Sequence, residues 1–142
     1  MKKLGIVEGF YGSLMSFSQR NAIVESLSNN NLNFYLYAPK EDPFIRKYID
    51  LDHSKEWQEQ FQNFCHNAHE KNIQISVGLC PKTYDYGSLA NKINKLKSLG
   101  CNHFAILFDD TEDYDLKSQL EIFNKAENEF KDSEIIFCPS IY

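Results

Sequence analysis

A regular alternation of short apolar runs with longer amphipathic segments constrains the fold of this chain more than any other feature of its sequence. Five runs rich in β-branched and aromatic residues predict strands at residues 3–8, 33–37, 73–79, 103–108 and 134–138. The segments between them have helical periodicity. The order βαβαβαβαβ predicts an α/β fold with parallel strands, and both an open doubly wound sheet and part of a barrel fit it.

Three of the four predicted helices carry an apolar stripe that we expect to lie in the core. The stripes are Trp57, Phe61, Phe64 and Ala68; Leu89, Ile93, Leu96 and Leu99; and Leu116, Leu120, Phe123, Ala126 and Phe130. The first helix is expected to start after a cap at Ser16 or Ser18 and to run toward Asn29. Gly100 is a predicted stop for the third helix. We expect residues 1–142 to form a single domain.

Charge and composition exclude several classes of function. The formal net charge is −5 and the lysines are interspersed with acids, which argues against a nucleic-acid partner. The sequence shows neither a signal peptide nor an apolar run of membrane-spanning length, so a cytoplasmic location is expected, or secretion if a leader was removed. The four cysteines lack metal or redox spacing and are predicted to be free thiols.

The fourth predicted strand is followed directly by two adjacent carboxylates, Asp109 and Asp110. Loops after the carboxyl ends of parallel strands share one side of the sheet, where active sites of such folds lie. Proximity is expected to raise the pKa of one carboxyl, giving an acid near neutral pH beside a charged partner. The alternatives are a helix-capping cluster with Asp113 and Asp115, or a magnesium-binding acidic loop.

The loop after the second predicted strand carries Lys40 directly after a proline. Because proline stiffens the backbone there, the amine is expected to point toward the same mouth as Asp109 and to keep a neighbouring carboxylate ionised. The alternative is a surface lysine paired with Glu41 or Asp42.

The loop after the first predicted strand contains two aromatic residues between glycines, Gly9-Phe10-Tyr11-Gly12. The glycines suit a tight bend or a close approach of the main chain to a ligand. The spacing is not that of a phosphate-binding loop. The two aromatic rings suit either packing or a platform for a sugar ring.

Four blocks at predicted strand ends together resemble glycoside hydrolase family 84, which contains the O-GlcNAcases and bacterial enzymes named hyaluronidases. The blocks are residues 5–12 (GIVEGFYG), 35–43 (YLYAPKEDP), 104–110 (FAILFDD) and 137–142 (FCPSIY). The resemblance implies the first five strands and four helices of a TIM-type (β/α)8 barrel. Complete barrels of this type need about 250 residues. We therefore expect a longer parent chain, a second chain that completes the barrel, or self-association.

The resemblance also implies an activity, that of a retaining exo-β-N-acetylglucosaminidase with substrate-assisted catalysis and neither metal nor cofactor. Asp109 would orient the sugar's 2-acetamido group, whose carbonyl oxygen attacks the anomeric carbon, and Asp110 would act as general acid and then base. The expected substrate is a glycan or glycoprotein bearing N-acetylglucosamine. The implied substrate-binding residues are Gly9, Lys40, Cys138 and Tyr142.

Some positions depart from the family pattern and leave substrate preference open. Residues 13–15 (SLM) stand where the family often has Arg-Pro-Trp, and residues 80–82 (CPK) where Ser-Pro-Gly is common. The asparagine and aspartate by which later strands of the family grip the sugar have no counterpart here. Two other functions stay open: a non-catalytic carbohydrate-binding or interaction module, and a magnesium-dependent α/β hydrolase.

Overall fold

The computed structural model describes residues 1–81, 85–111 and 115–141 and contains one parallel sheet with helices between its strands. The strands are β1 (Gly5–Glu8), β2 (Phe34–Tyr37), β3 (Gln74–Leu79), β4 (His103–Leu107) and β5 (Glu134–Cys138). The helices are α1 (Phe17–Asn29), α2 (Lys55–Glu70), α3 (Tyr86–Ser98) and α4 (Leu116–Glu129). The predicted α/β fold is confirmed, and every strand lies within two residues of its expected limits.

The order of the strands and the curvature of the sheet identify part of a barrel. Each strand pairs with its sequence neighbour, in the order β1-β2-β3-β4-β5, so the order does not reverse as it does in a doubly wound sheet. Lys3, next to β1, forms an ion pair with Glu134 of β5. In a flat sheet the first and fifth strands would be about 19 Å apart, beyond the reach of these two side chains. The sheet is therefore strongly curved.

The main core lies between the sheet and the helices. The β2 residues Tyr35 and Tyr37 are fully buried there, and Tyr35 packs edge-on against Phe64 with ring centroids 5.4 Å apart. Phe61 stacks on Trp57 at a centroid distance of 4.6 Å. The predicted stripes of α2 and α3 are confirmed as core, although Trp57 and Leu99 are only partly buried.

The predicted stripe of α4 is wrong in part. Leu116 and Leu120 are 49% and 40% exposed, whereas Ala126 and Phe130 are buried as predicted. The buried face of the helix also carries Gln119 and Ile122, which were not part of the predicted stripe. Gln119 is buried because its side-chain amide is satisfied: it donates to Oγ of Ser140 (2.7 Å) and accepts from the Ser140 backbone N–H (3.2 Å). These hydrogen bonds offset the cost of burying a polar group, and the leucines lie beside this face.

Helix ends follow local sequence signals. Ser16, and not Ser18, caps α1 and forms a capping box with Gln19. Gly100 follows α3 with a φ of 95°, a left-handed conformation that glycine adopts without strain. Within the described ranges, none of the helices combines the length and the apolar character needed to cross a membrane.

Candidate active site

Asp109 and Asp110 lie where β4 ends, on a turn anchored on both sides. The hydrogen bonds between β4 and β5 continue one residue past the end of β4, since Phe108 N–H donates to the Cys138 carbonyl (2.9 Å). The backbone N–H and the hydroxyl of Thr111 both donate to the Phe108 carbonyl, at 3.1 and 2.7 Å. The two carboxylates are thus presented from a fixed turn at the mouth of the sheet.

Asp110 is bound by two cations from one loop. Lys40 Nζ and Arg46 Nη1 both donate to Oδ2 of Asp110, the second at 3.0 Å. The three side chains are partly shielded, with 14% of Lys40, 16% of Arg46 and 28% of Asp110 exposed. The expectation that Lys40 reaches the mouth is confirmed, and its partner there is Asp110.

The two cations reverse the expected electrostatics of the carboxylate pair. The hydrogen bond from Lys40 lowers the pKa of Asp110, and Arg46 adds to this effect against the opposing effect of burial. The prediction that proximity raises a carboxyl pKa is therefore wrong for Asp110, because two adjacent positive charges outweigh one neighbouring carboxylate. In this arrangement Asp110 is held as a carboxylate.

Arg46 was not found by sequence reasoning, and a short turn places it. Residues Pro43–Ile45 form a 3-10 helix between β2 and α2, and Arg46 follows directly. Ile45 is buried, and its carbonyl accepts a hydrogen bond from Cys80 N–H (2.9 Å) at the end of β3. This hydrogen bond fixes the turn against the sheet and directs Arg46 across β3 toward β4. The Asp-Pro step before the turn was the available signal.

A buried carboxylate organises the same loop. Asp42 is 2% exposed and accepts hydrogen bonds from Tyr37 Oη (2.6 Å), Phe44 N–H (2.9 Å) and His53 Nε2 (2.8 Å). Burial acts to raise the pKa of Asp42, but the hydrogen bonds, led by that from His53, outweigh it and lower the pKa. The His53 ring stacks on Trp57 at 3.5 Å between centroids. The segment between Lys40 and Arg46 is therefore rigidly held.

The loop after β1 reaches the same mouth. Phe10 accepts a hydrogen bond from Lys40 N–H (3.4 Å), which ties the loop that begins at Gly9 to the loop carrying Lys40. Phe10 and Tyr11 are 51% and 71% exposed. Glu8, the last residue of β1, does not face this mouth: it is fully buried on the helix side of the sheet and pairs with Arg20 of α1.

Two thiols line the carboxylate pair. Cys80 is buried after β3 and Cys138 is partly buried at the end of β5. Burial raises the pKa of both thiols, and the charges of Asp109 and Asp110 add to the shift. All four cysteines are free, as predicted. Tyr142, expected beside the acetamido group, lies outside the described residues, as does the predicted Asp113.

Two further features bear on where the site lies. A cavity of about 520 Å³ opens at the opposite end of the sheet, lined by Lys3, His69, His103 and Glu134 among others. In barrels of this type the amino-terminal end serves stability and the carboxyl end serves chemistry. Within the ranges described, no three His, Cys, Asp or Glu side chains are grouped to hold a metal ion. The carboxylate pair is therefore the candidate site.

Comparison with known families decides the identity of this domain. A family model described as beta-N-acetylglucosaminidase (NAGidase) matches residues 4–142. The chain belongs to the beta-N-acetylglucosaminidase family. The O-GlcNAcase proteins of Rattus norvegicus and Mus musculus are each 29% identical over 97% of this chain. The chain spans 17% of the length of each of these relatives.

Solved structures support the same assignment. A mutant O-GlcNAc hydrolase of Thermobaculum terrenum superposes with a TM-score of 0.91 at 25% identity, over 99% of this chain and 36% of that one. CpGH84B superposes with a TM-score of 0.93 at 28% identity, over 99% of this chain and 28% of that one. The resemblance to glycoside hydrolase family 84 is thereby confirmed. The five strands and four helices correspond to part of its barrel, a beta-N-acetylglucosaminidase-type glycoside hydrolase domain.

Proposed function

We propose that this protein is a retaining exo-β-N-acetylglucosaminidase that uses the 2-acetamido group of its substrate as the nucleophile, with Asp109 and Asp110 as the catalytic pair. The observation that carries the proposal is the placement of these adjacent carboxylates at the mouth of the sheet, with Lys40 bound to Asp110. Family membership supports the substrate class, glycans or glycoproteins that end in N-acetylglucosamine.

The geometry favours substrate assistance over a protein nucleophile. Ordinary retaining glycosidases place two carboxyl groups about 5 Å apart on either side of the scissile bond. Asp109 and Asp110 are consecutive residues of one turn, so both are presented at one strand end and do not belong to two walls of a cleft. A substrate oxygen can attack the anomeric carbon internally, and one carboxylate is then free to orient it while the other transfers protons.

The two acids have different tasks in this mechanism. Asp109 accepts a hydrogen bond from the acetamido N–H, which orients the carbonyl oxygen and stabilises the positive charge of the oxazoline intermediate. Asp110 donates a proton to the departing oxygen and then removes one from the water that opens the oxazoline. The proton that Asp110 gives to the leaving group in the first step is recovered from water in the second, so the reaction needs neither a metal nor a redox partner.

The remaining contacts hold the sugar. Lys40 and the Gly9 carbonyl bind sugar hydroxyls, while Cys138 and Tyr142 line the acetamido pocket. Lys40 is bound to Asp110 in the structure, so a sugar hydroxyl competes for the same amine. Substrate binding therefore weakens the interaction of Lys40 with Asp110. This favours the protonated form of Asp110, which the first step needs.

A second candidate is a carbohydrate-binding domain without turnover. One observation favours it: Lys40 and Arg46 lower the pKa of Asp110, and a carboxylate held ionised is a poor general acid. Such a domain would bind N-acetylglucosamine and release no product.

A series of aryl β-N-acetylglucosaminides with increasing fluorination of the N-acetyl group tests the proposal. Fluorine makes the acyl oxygen a weaker nucleophile, so kcat/KM should fall steeply along the series, and the sugar first released should be the β-anomer. A kcat/KM that is independent of fluorination would contradict substrate assistance. Binding without hydrolysis would favour the second candidate.

A further inference from the structure

The two cations on Asp110 are held in different ways. Arg46 follows the Pro43–Ile45 turn, which is fixed to the end of β3 by the Ile45–Cys80 hydrogen bond. Lys40 ends in a compact charge on a flexible chain, whereas arginine is planar, always charged and suited to holding a carboxylate in one orientation. Arg46 is thus built into the fold, while Lys40 is free to exchange partners.

The contacts also distinguish the two oxygens of the carboxylate. The hydrogen bonds from Lys40 and Arg46 both go to Oδ2 of Asp110. When one oxygen of a carboxyl group accepts hydrogen bonds from two cations, the proton of the carboxylic acid is carried by the other oxygen. Oδ1 is therefore the oxygen placed to donate a proton to a leaving group.

We propose that Arg46 is a positioning residue that keeps Asp110 oriented when Lys40 moves from Asp110 to the sugar. This inference rests on the proposed function and deepens it. A Lys40 amine drawn toward the sugar holds Asp110 less firmly, whereas Arg46 is fixed by its turn. With Arg46 in place, the carboxyl group keeps its orientation between the proton donation of the first step and the proton removal of the second.

The arrangement makes the titration of Asp110 depend on Arg46. A neighbouring opposite charge stabilises the ionised carboxylate, and its removal raises the pKa. A substitution at position 46 leaves Lys40 and Asp109 in place, and it also removes a charge that lowers the pKa of the Cys80 thiol. Among the residues that the structure describes, the charged and titratable groups that face Asp110 are Lys40 and Arg46 from the loop after β2, Cys80 after β3, Asp109 beside it, and Cys138 from β5.

Substitutions at Arg46, compared with a substitution next to it, test the role. We would measure the pKa of the Asp110 carboxyl carbon by NMR in the wild type, Arg46→Gln, Arg46→Lys and Lys47→Gln. Lys47 is exposed beside Arg46 and lies against the Tyr48 ring, so its loss gives the same change in net charge. We expect Arg46→Gln to raise the pKa of Asp110, Arg46→Lys to bring that pKa most of the way back to the wild-type value, and Lys47→Gln to leave it unchanged.

Kinetics give a second readout. With an alkyl glycoside, whose poor leaving group needs the acid, Arg46→Gln should lower kcat about tenfold or more and move the alkaline limb of the pH profile upward. With a nitrophenyl glycoside the loss should be smaller, and KM should change little in both cases. Arg46→Lys should recover part of kcat.

Several results would overturn the inference. The first two are a pKa of Asp110 that is unchanged in Arg46→Gln, or one that shifts equally in Lys47→Gln. The third is a loss of kcat in Arg46→Gln that is equal for both leaving groups. The fourth is unfolding of Arg46→Gln, which would make the residue merely structural. The NMR titration does not require turnover. If the wild type hydrolyses neither glycoside, the proposed function fails, while the titration still decides whether Arg46 controls Asp110.

Discussion

Arg20 donates hydrogen bonds from Nε and Nη2 to the carboxylate of Glu8, at 3.1 and 2.8 Å, and joins α1 to the end of β1 in a buried pair. Glu8 is fully buried, Arg20 is 2% exposed, and Tyr35 Oη also donates a hydrogen bond to Glu8 (2.6 Å). Arg20→Met should lower the free energy of unfolding by about 3–5 kcal/mol, because it leaves a buried charge without its partner. Urea unfolding measures the loss.

A double variant is the control for the buried pair. In Glu8→Gln/Arg20→Met the unpaired charge is gone, so the loss of stability should be smaller than in Arg20→Met alone. If Arg20→Met and the double variant are equally stable, Arg20 does not stabilise the protein by pairing with the charge of Glu8.

The buried Asp42 carboxylate should make stability depend on pH. Its pKa is lowered in the folded state, so its contribution is present above the ordinary aspartate value of about 4 and is lost as the pH falls through the folded-state pKa. The free energy of unfolding should therefore fall on acidification more in the wild type than in Asp42→Asn. Urea titrations at pH 7 and at several values below 4 measure the difference.

Asp52→Asn is the matched control for Asp42. Its side chain is 59% exposed and lies 3.7 Å from Lys95, a surface contact worth little. It should keep the acid dependence of the wild type. An acid dependence that is the same in Asp42→Asn and Asp52→Asn would refute the assignment to Asp42.

Close packing on the inner side of the curved sheet gives a test of its shape. A Cβ at Gly78 of β3 would lie 2.7 Å from Ala38 Cβ and 2.8 Å from Leu107 Cδ1. Gly78→Ala should therefore lower the free energy of unfolding by about 1–3 kcal/mol through overpacking. Gly87→Ala, in the first turn of α3, should change it by less than about 1 kcal/mol. If both variants are equally stable, the strands are not packed as closely as described.

The roles proposed for Asp109 and Asp110 predict that the two acids differ in how strongly their loss depends on the leaving group. Asp110→Asn should lose most turnover, about 100-fold or more, on alkyl glycosides and much less on nitrophenyl glycosides, since a good leaving group needs no proton. Asp109→Asn should lose turnover on all substrates, because every substrate relies on its acetamido group. Steady-state kinetics on the two glycosides provide the comparison, and equal, mild losses in both variants would refute the assigned roles.

The sequence predicted the scaffold well because strand and helix signals are local. The apolar runs fix the strands to within two residues, and strand-end position together with family resemblance points to Asp109, Asp110 and Lys40. The predicted apolar stripe of α4 was wrong in part because the burial of Gln119 depends on its hydrogen bonds to Ser140, which helical periodicity does not reveal.

The electrostatics of the site were less predictable because they arise from distant residues. Lys40 and Arg46 lie 70 and 64 positions from Asp110 in the sequence. Arg46 reaches it only because a 3-10 turn is fixed to β3 by the hydrogen bond between Ile45 and Cys80. The direction of the pKa shift of Asp110 follows from these contacts and not from its neighbour in the chain.

Hydrolysis of a nitrophenyl β-N-acetylglucosaminide by the purified protein, with Asp109→Asn measured beside it, tests the central claim most directly. The account predicts release of nitrophenol by the wild type and a loss of about 100-fold or more in Asp109→Asn, with the fold of the variant confirmed by circular dichroism. No release by the wild type, or equal rates in both proteins, would contradict the assignment of this carboxylate pair as the catalytic centre.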